Sequence, residues 1–196
     1  SVTSIGSNAF QSCTSLTSVI MGNSIATIGE SAFGNCDSLT SVTIPDSVIS
    51  VGDRAFYLCE SLKEFIGKSA SSDGRCLIID GILISFAPAG VTEYTIPYGV
   101  TAIGNYAFYQ CENITKVTIP DSVTAIGDYG FQDCENLLSV TIGNNVTTIG
   151  DSSFEYCTSL TSVIIPDSAT SIGTYAFNYC KNLTDITIGN GVTFLG

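Results

Sequence analysis

Apolar positions along this chain follow two local spacings in turn, and the whole pattern recurs every 23 residues. In the stretch 114–136, Val117 and Ile119 alternate with Lys116 and Thr118, the period of a strand with one buried face. Pro120, like Pro45, Pro97 and Pro166, ends that strand by removing a ladder donor; Gly22, Gly143 and Gly189 hold the same place in other copies. Val123 and Ile126 then predict a second short extended piece pointing inward, closed by Gly127, which needs either a positive φ or a close backbone approach. Phe131, Cys134 and Leu137 recur at three-residue steps, so one side of a short turn or 3₁₀ piece feeds the core. Asp128 precedes that turn, as do Glu30, Asp53 and Asp151 elsewhere, where a carboxylate suits the free amides of a helical start.

The repetition decides the architecture. Phe10, Phe33, Phe56, Phe108, Phe131, Phe154 and Phe177 lie 23 residues apart, except that the step from Phe56 to Phe108 is two periods and six residues. A glycine column from Gly6 to Gly196 and a cysteine column from Cys13 to Cys180 keep the same register. A fixed period of this size predicts stacked coils: a solenoid with a parallel β ladder on one face and short turns or 3₁₀ helices on the other. No single coil buries enough apolar surface to fold alone. The expected organisation is one array over 1–196, regular at 1–62 and 94–196 and part of a longer array, with an irregular unit at 63–93. Within that unit Asp80-Gly81 between two apolar runs predicts a β-hairpin, preceded by a loop carrying Lys68, Asp73 and Arg75. That loop reads either as a recognition protrusion or as part of a spacer whose hairpin patches the core; Cys76 should be buried within it.

The consensus Ile-Pro-Asp-Ser-Val-Thr-x-Ile-Gly-x-x-x-Phe-x-x-Cys-x-x-Leu resembles the 23-residue leucine-rich repeat of the BspA-like, Treponema-type family over nearly the entire chain. The resemblance implies a leucine-rich-repeat solenoid, an extracellular or cell-surface location, and adhesion to host proteins, host cells or other microbes. It carries no family-wide ligand residue with it.

Charge narrows the partners. Eighteen acidic residues against six basic ones and no histidine give −12, which disfavours nucleic acid and anionic membrane surfaces. No apolar run is long enough for a membrane helix, so no direct membrane insertion is expected. Seven of the eight cysteines share one inward slot, where a thiol acts as a small buried hydrophobe. Neighbouring slots about 5 Å apart do not exclude pairing by distance, but seven equivalent positions cannot all pair with one another. There is no CxxC or local ligand cluster, so neither metal nor cofactor is expected. Without histidine, and with thiols inside, catalysis lacks a base and a nucleophile, and an enzyme is not expected.

The candidate binding surface is therefore the outward side of the strand ladder: Ser41, Thr43, Glu64, Ile66, Glu93, Thr95, Lys116, Thr118, Ser139, Thr141, Ser162 and Ile164. These residues are mostly small, hydroxylated and neutral, which also suits exposed strand positions with no ligand at all. A protein or glycan on a host or microbial surface is the expected partner. The alternatives are a structural stalk that projects another domain and, more remotely, ice or lattice binding by the threonines, which Ile20, Ile66 and Ile164 interrupt. Unfinished repeats at the termini predict end-to-end self-association through open strand edges. Asn113, Asn145 and Asn182 match the glycosylation acceptor pattern, which has meaning only in a eukaryotic source.

Overall fold

A computed structural model describes residues 2–196, which pack as two compact units, 2–90 and 91–196. In each unit the coils stack in register. In the first, Ser18–Ile20, Ser41–Thr43 and Glu64–Ile66 pair in parallel. In the second, Glu93–Thr95, Lys116–Thr118, Ser139–Thr141, Ser162–Ile165 and Asp185–Ile188 do the same. The predicted inward pieces form a second parallel ladder, made of Ser4–Ile5, Thr27–Ile28 and Ser50–Val51 in one unit. Ala102–Ile103, Ala125–Ile126, Thr148–Ile149, Ser171–Ile172 and Phe194–Leu195 form it in the other. The fold is thus a parallel β-solenoid with two ladders per coil, where the sequence pattern announced one.

The third side is built of turns, and among the described residues no segment is helical. Backbone amides there alternate in direction. Tyr129, Phe131 and Asp133 donate to Asp151, Ser153 and Glu155 in the next coil, whereas Gly130, Gln132 and Cys134 donate three residues back. Two residues of each such turn have positive φ: Ser31 and Asn35, Arg54 and Leu58, Tyr106 and Gln110, Tyr129 and Asp133, Ser152 and Tyr156, Tyr175 and Tyr179. These residues turn the peptide planes so that every second amide points along the axis. The glycine column does something else. Gly127, Gly150 and Gly173 lie outside the left-handed region, and a Cβ on Gly173 would stand 2.5 Å from Asp151 N and 2.6 Å from Gly150 C. Close approach of successive coils, the second of the two expected reasons, keeps glycine there.

The carboxylates after those glycines cap amides, though not those of a helix. Asp128 Oδ1 accepts from Asp151 N at 2.8 Å and Asp151 Oδ1 from Thr174 N at 2.7 Å, one coil further on. The apparent stack of like charges is thereby a ladder of charge-assisted hydrogen bonds.

The interior holds the predicted columns. Phe33, Phe108, Phe131 and Phe154 are at most 1% exposed. Phe10 to Phe56 and Phe108 to Phe177 form two stacks, with successive ring centroids 4.7–5.4 Å apart. The cysteines are free thiols, and within the column Cys59 Sγ donates backward to Phe33 O at 3.2 Å, Cys134 Sγ to Phe108 O at 3.0 Å and Cys157 Sγ to Phe131 O at 3.2 Å. A hydrogen-bonded thiol in an apolar column has no need of a disulfide. Burial pushes Cys59 and Cys134 up to about 12, against the lowering pull of the amides of Cys36 and Cys111.

Two outcomes follow from these thiols. In the native protein a disulfide-exchange reagent should modify exposed Cys13 rapidly and buried Cys36, Cys59, Cys76, Cys111, Cys134 and Cys157 only on unfolding. Eight fast thiols before denaturant would contradict the column. Stability should also fall in alkali. The unfolded thiols ionise from about 9 while Cys59 and Cys134 stay neutral to about 12 when folded, so the stabilisation is complete below pH 9 and is lost through that window. Thermal melts between pH 8 and 11 read the slope, and Cys134→Ala should flatten it.

Candidate functional site

The outward side chains of the first ladder stand where strand alternation puts them. In the second unit Val117, Val140 and Val163 point into the core, so Lys116, Thr118, Ser139, Thr141, Ser162 and Ile164 point out. Lys116 registers with Glu93 and Ser139, and Thr118 with Thr95 and Thr141, so each column repeats one residue per coil. Most of the face is short-chained and level. Glu93 and Lys116 place opposite charges on neighbouring strands, next to a shallow depression that Thr95 and Thr118 also line. A second depression is bounded by Ser139, Thr141, Ser162 and Ile164. Ile164 is 68% exposed there.

In the first unit the same side carries Ser41, Thr43, Glu64 and Ile66, with Ile66 44% exposed and Phe65 between them fully inside. Hydroxyls at the edge of the face are committed to the solenoid: Thr40 Oγ1 donates to Thr17 O at 3.0 Å, and Thr115 Oγ1 to Thr92 O at 3.0 Å. Their methyl groups and remaining lone pairs are what the edge can offer a partner.

The loop before the hairpin differs from a free recognition element. Asp73 Oδ1 accepts from Ser71 Oγ and from Arg75 N at 3.0 Å. Arg75 reaches back to the hairpin, its Nη1 donating to Ala89 O at 2.9 Å and Ala87 O at 3.3 Å. Of the three residues assigned to a protrusion, Asp73 and Arg75 therefore hold the segment in shape, while Lys68 is exposed. The hairpin itself is as expected. Cys76–Ile79 and Ile82–Phe86 pair antiparallel around Asp80 and Gly81, both at positive φ as a two-residue hairpin turn requires. Cys76, Leu77, Leu83 and Phe86 are buried, and Leu77 packs in the core of the first compact unit. Two of the acceptor-pattern asparagines are likewise occupied: Asn145 Nδ2 donates to Asp121 O and Asn182 Nδ2 to Thr158 O, each at 2.8 Å.

A surface lies outside the sequence expectations. On the turn side of the second unit Tyr106 stacks on Tyr129 and Tyr156 on Tyr179, at 4.6 and 4.8 Å between centroids. Their hint in the sequence was the concentration of tyrosine around Phe108, Phe131, Phe154 and Phe177, which a reading centred on strands passes over. Among the described residues no group of His, Cys, Asp or Glu is arranged to hold a metal ion, and no helix is long and apolar enough to cross a membrane.

The profile of the BspA type Leucine rich repeat region matches residues 1–73 and 84–196 in six copies. The chain belongs to this BspA-type leucine-rich repeat family. The gap in the match falls in the hairpin unit, where the repeat is interrupted. No curated protein matches the chain. Among solved structures, a leucine rich cell surface protein from Faecalibacterium prausnitzii is 28% identical over 95% of this chain and 57% of its own, with a TM-score of 0.74. The pneumococcal vaccine antigen PcpA, 20% identical, aligns over the full chain and 57% of its own at a TM-score of 0.73, which shows the shared fold. The leucine-rich repeat protein of T. pallidum is 26% identical over 93% of this chain and 72% of its own, at a TM-score of 0.52. The chain thus spans a little over half the length of the first two. Its BspA-type repeats make it a repeat module of the binding or structural kind.

Proposed function

We propose that this module is a non-enzymatic part of a secreted or cell-surface adhesin, and that it holds a protein or glycan ligand across the outward face of the first ladder. The observation that carries the reading is Ile164, 68% exposed on the second unit's face of short polar side chains; on the first unit's own face Ile66 is 44% exposed. Nothing in the folding of the coil asks for isoleucine outside, since Thr43, Thr118 and Thr141 fill the equivalent place. Single apolar anchors beside hydroxyl and charged neighbours are what a protein ligand uses as a small central contact. The Faecalibacterium relative, described as a cell surface protein, supports the location. The buried thiols of Cys59 and Cys134, with raised pKa, and the lack of histidine favour binding over nucleophilic chemistry.

Immobilised extracellular-matrix proteins and mucin glycans provide the test. Thr118→Arg, Thr141→Arg and Ile164→Arg together place long charged chains on the face without touching the core. The expected result is loss of at least about tenfold in affinity for the bound partner, with unchanged melting. A wild-type chain that binds none of the panel would favour the second reading, a stalk that projects other parts of the parent protein. That reading draws on the edge hydroxyls, which serve the stack itself.

A further inference from the structure

Five tyrosines of the second unit occupy positive-φ positions of the turn side: Tyr106, Tyr129, Tyr156, Tyr175 and Tyr179, at φ between 56° and 60°. Bulky residues are rare in that conformation, which costs them roughly 1–2 kcal/mol. The first unit fills the equivalent positions with Asn8, Ser12, Ser31, Asn35, Arg54 and Leu58. The strain of the outer tyrosines is not offset by core burial, because Tyr156, Tyr175 and Tyr179 are 37%, 62% and 52% exposed. The coil sets this conformation whatever the side chain, so what distinguishes the second unit is the choice of large, partly exposed rings at these positions.

The second unit has ten carboxylates and only two basic residues, Lys116 and Lys181. Asp133 and Glu155 act electrostatically on Tyr156, and Glu135 acts on Asp133. Burial first, then the charges of Glu135 and Glu155, push the Asp133 carboxyl above its ordinary range, with the Tyr109 hydroxyl opposing. Glu155 is fixed in place, accepting from Gln132 Nε2 at 2.9 Å and Asn178 Nδ2 at 2.7 Å. The Tyr156–Tyr179 stack has two outer ends. At one, Lys181 Nζ lies 5.9 Å from the centroid of Tyr179, within reach of a cation–π contact. At the other, the next coil puts Asp133 in the position that Tyr156 and Tyr179 hold in theirs. One end of the stack thus already carries a cation, and the other is lined by carboxylates.

We propose that this end of the tyrosine stack is a docking point for an arginine side chain of a partner protein, which lies on the outer face of Tyr156 against Asp133 and Glu155. Arginine fits better than lysine, because a planar guanidinium can stack on the ring and present several donors to the carboxylates at once. The surface is a different side of the coil from the outward ladder face, so either can fail without the other.

The chain has nine tyrosines and no tryptophan, so tyrosine fluorescence reports on the rings directly. Deca-arginine, deca-lysine and maltohexaose are titrated into the intact chain at low salt. Saturable quenching by deca-arginine is expected, with weaker binding of deca-lysine. Tyr156→Asn suits the left-handed backbone and so keeps the fold, and it should weaken deca-arginine by about tenfold as a desolvated cation–π contact and its aligned ion pair are lost. The charge control Asp37→Asn with Glu60→Gln, in the first unit, should shift it less than about twofold, as screened distant charges do. The proposal is overturned if deca-arginine does not bind, or if the charge control weakens it as much as Tyr156→Asn. It is also overturned if both basic peptides bind equally, or if maltohexaose alone quenches the rings.

Discussion

Phe131→Ala is expected to lose roughly 3–5 kcal/mol of unfolding free energy, the range for removing a fully buried phenyl ring that leaves a cavity. Phe131 is 0% exposed and lies between Phe108 at 4.7 Å and Phe154 at 5.0 Å, both nearly parallel to it. Its loss therefore removes two ring–ring contacts along with its own burial. Coils stacked in one dimension gain most of their stability from the interfaces to their neighbours, so weakening both interfaces of one coil also broadens the transition. Guanidinium unfolding followed by circular dichroism measures both quantities. Phe10→Ala is the comparison. Phe10 is 44% exposed and, among the described residues, stacks on Phe33, so its removal should cost about 1–2 kcal/mol by area. Equal losses at the two positions would mean that the column does not hold the stack together.

That column was legible in the sequence because burial imposes a strict choice at each position. Every coil must fill the same slot, so Phe131, Cys134, Leu137, Val117 and Ile126 repeat in type as well as spacing, and the structure places them inside. Asp80-Gly81 was legible for a related reason: few residues accept both positive φ values of a two-residue turn. The turn side was not legible. Its positive-φ positions hold Asn35, Arg54, Leu58, Gln110, Asp133, Tyr156 and Tyr179, a mixture with no shared chemistry, because the backbone bond to the next coil enforces the conformation whatever the side chain. The same mixture hid the tyrosine surface from a reading that looked for alternation. The acceptors of Arg75, Ala87 O and Ala89 O, were not legible, because they are backbone atoms of a segment more than ten residues away, which composition cannot reveal. The outward ladder residues were placed correctly by strand alternation, but alternation places a side chain without saying what it touches.

Gly150→Ala separates the two physical reasons for a recurrent glycine, and it is expected to destabilise by about 2–3 kcal/mol or more, at the upper end of overpacking. A Cβ at 150 would lie 2.7 Å from Asp128 N, 2.7 Å from Gly127 C and 2.6 Å from Asp128 Oδ1. Two of those atoms are backbone of the adjacent coil and cannot rotate away. To reach ordinary van der Waals distance the coils would have to part by several tenths of an ångström, which strains Gly150 N to Ile126 O at 2.9 Å and Asp151 N to Asp128 Oδ1 at 2.8 Å. Were positive φ the reason, asparagine would be tolerated at 150 far better than alanine. Since Gly150 lies outside the left-handed region, Gly150→Asn should fare no better than Gly150→Ala. Gly130 supplies the opposite case. Its Cβ would meet Gly127 O at 3.1 Å and the Ile126 side chain at 3.4 Å, and Ala32, Ala55, Ala107 and Ala176 already stand in the equivalent place. Gly130→Ala should therefore be neutral or stabilise by up to roughly 1 kcal/mol through the unfolded chain. Chemical denaturation of the three variants decides the matter. Asparagine rescue at 150 would place the cause in the glycine backbone, and a neutral Gly150→Ala would mean that successive coils stand further apart than their hydrogen bonds allow.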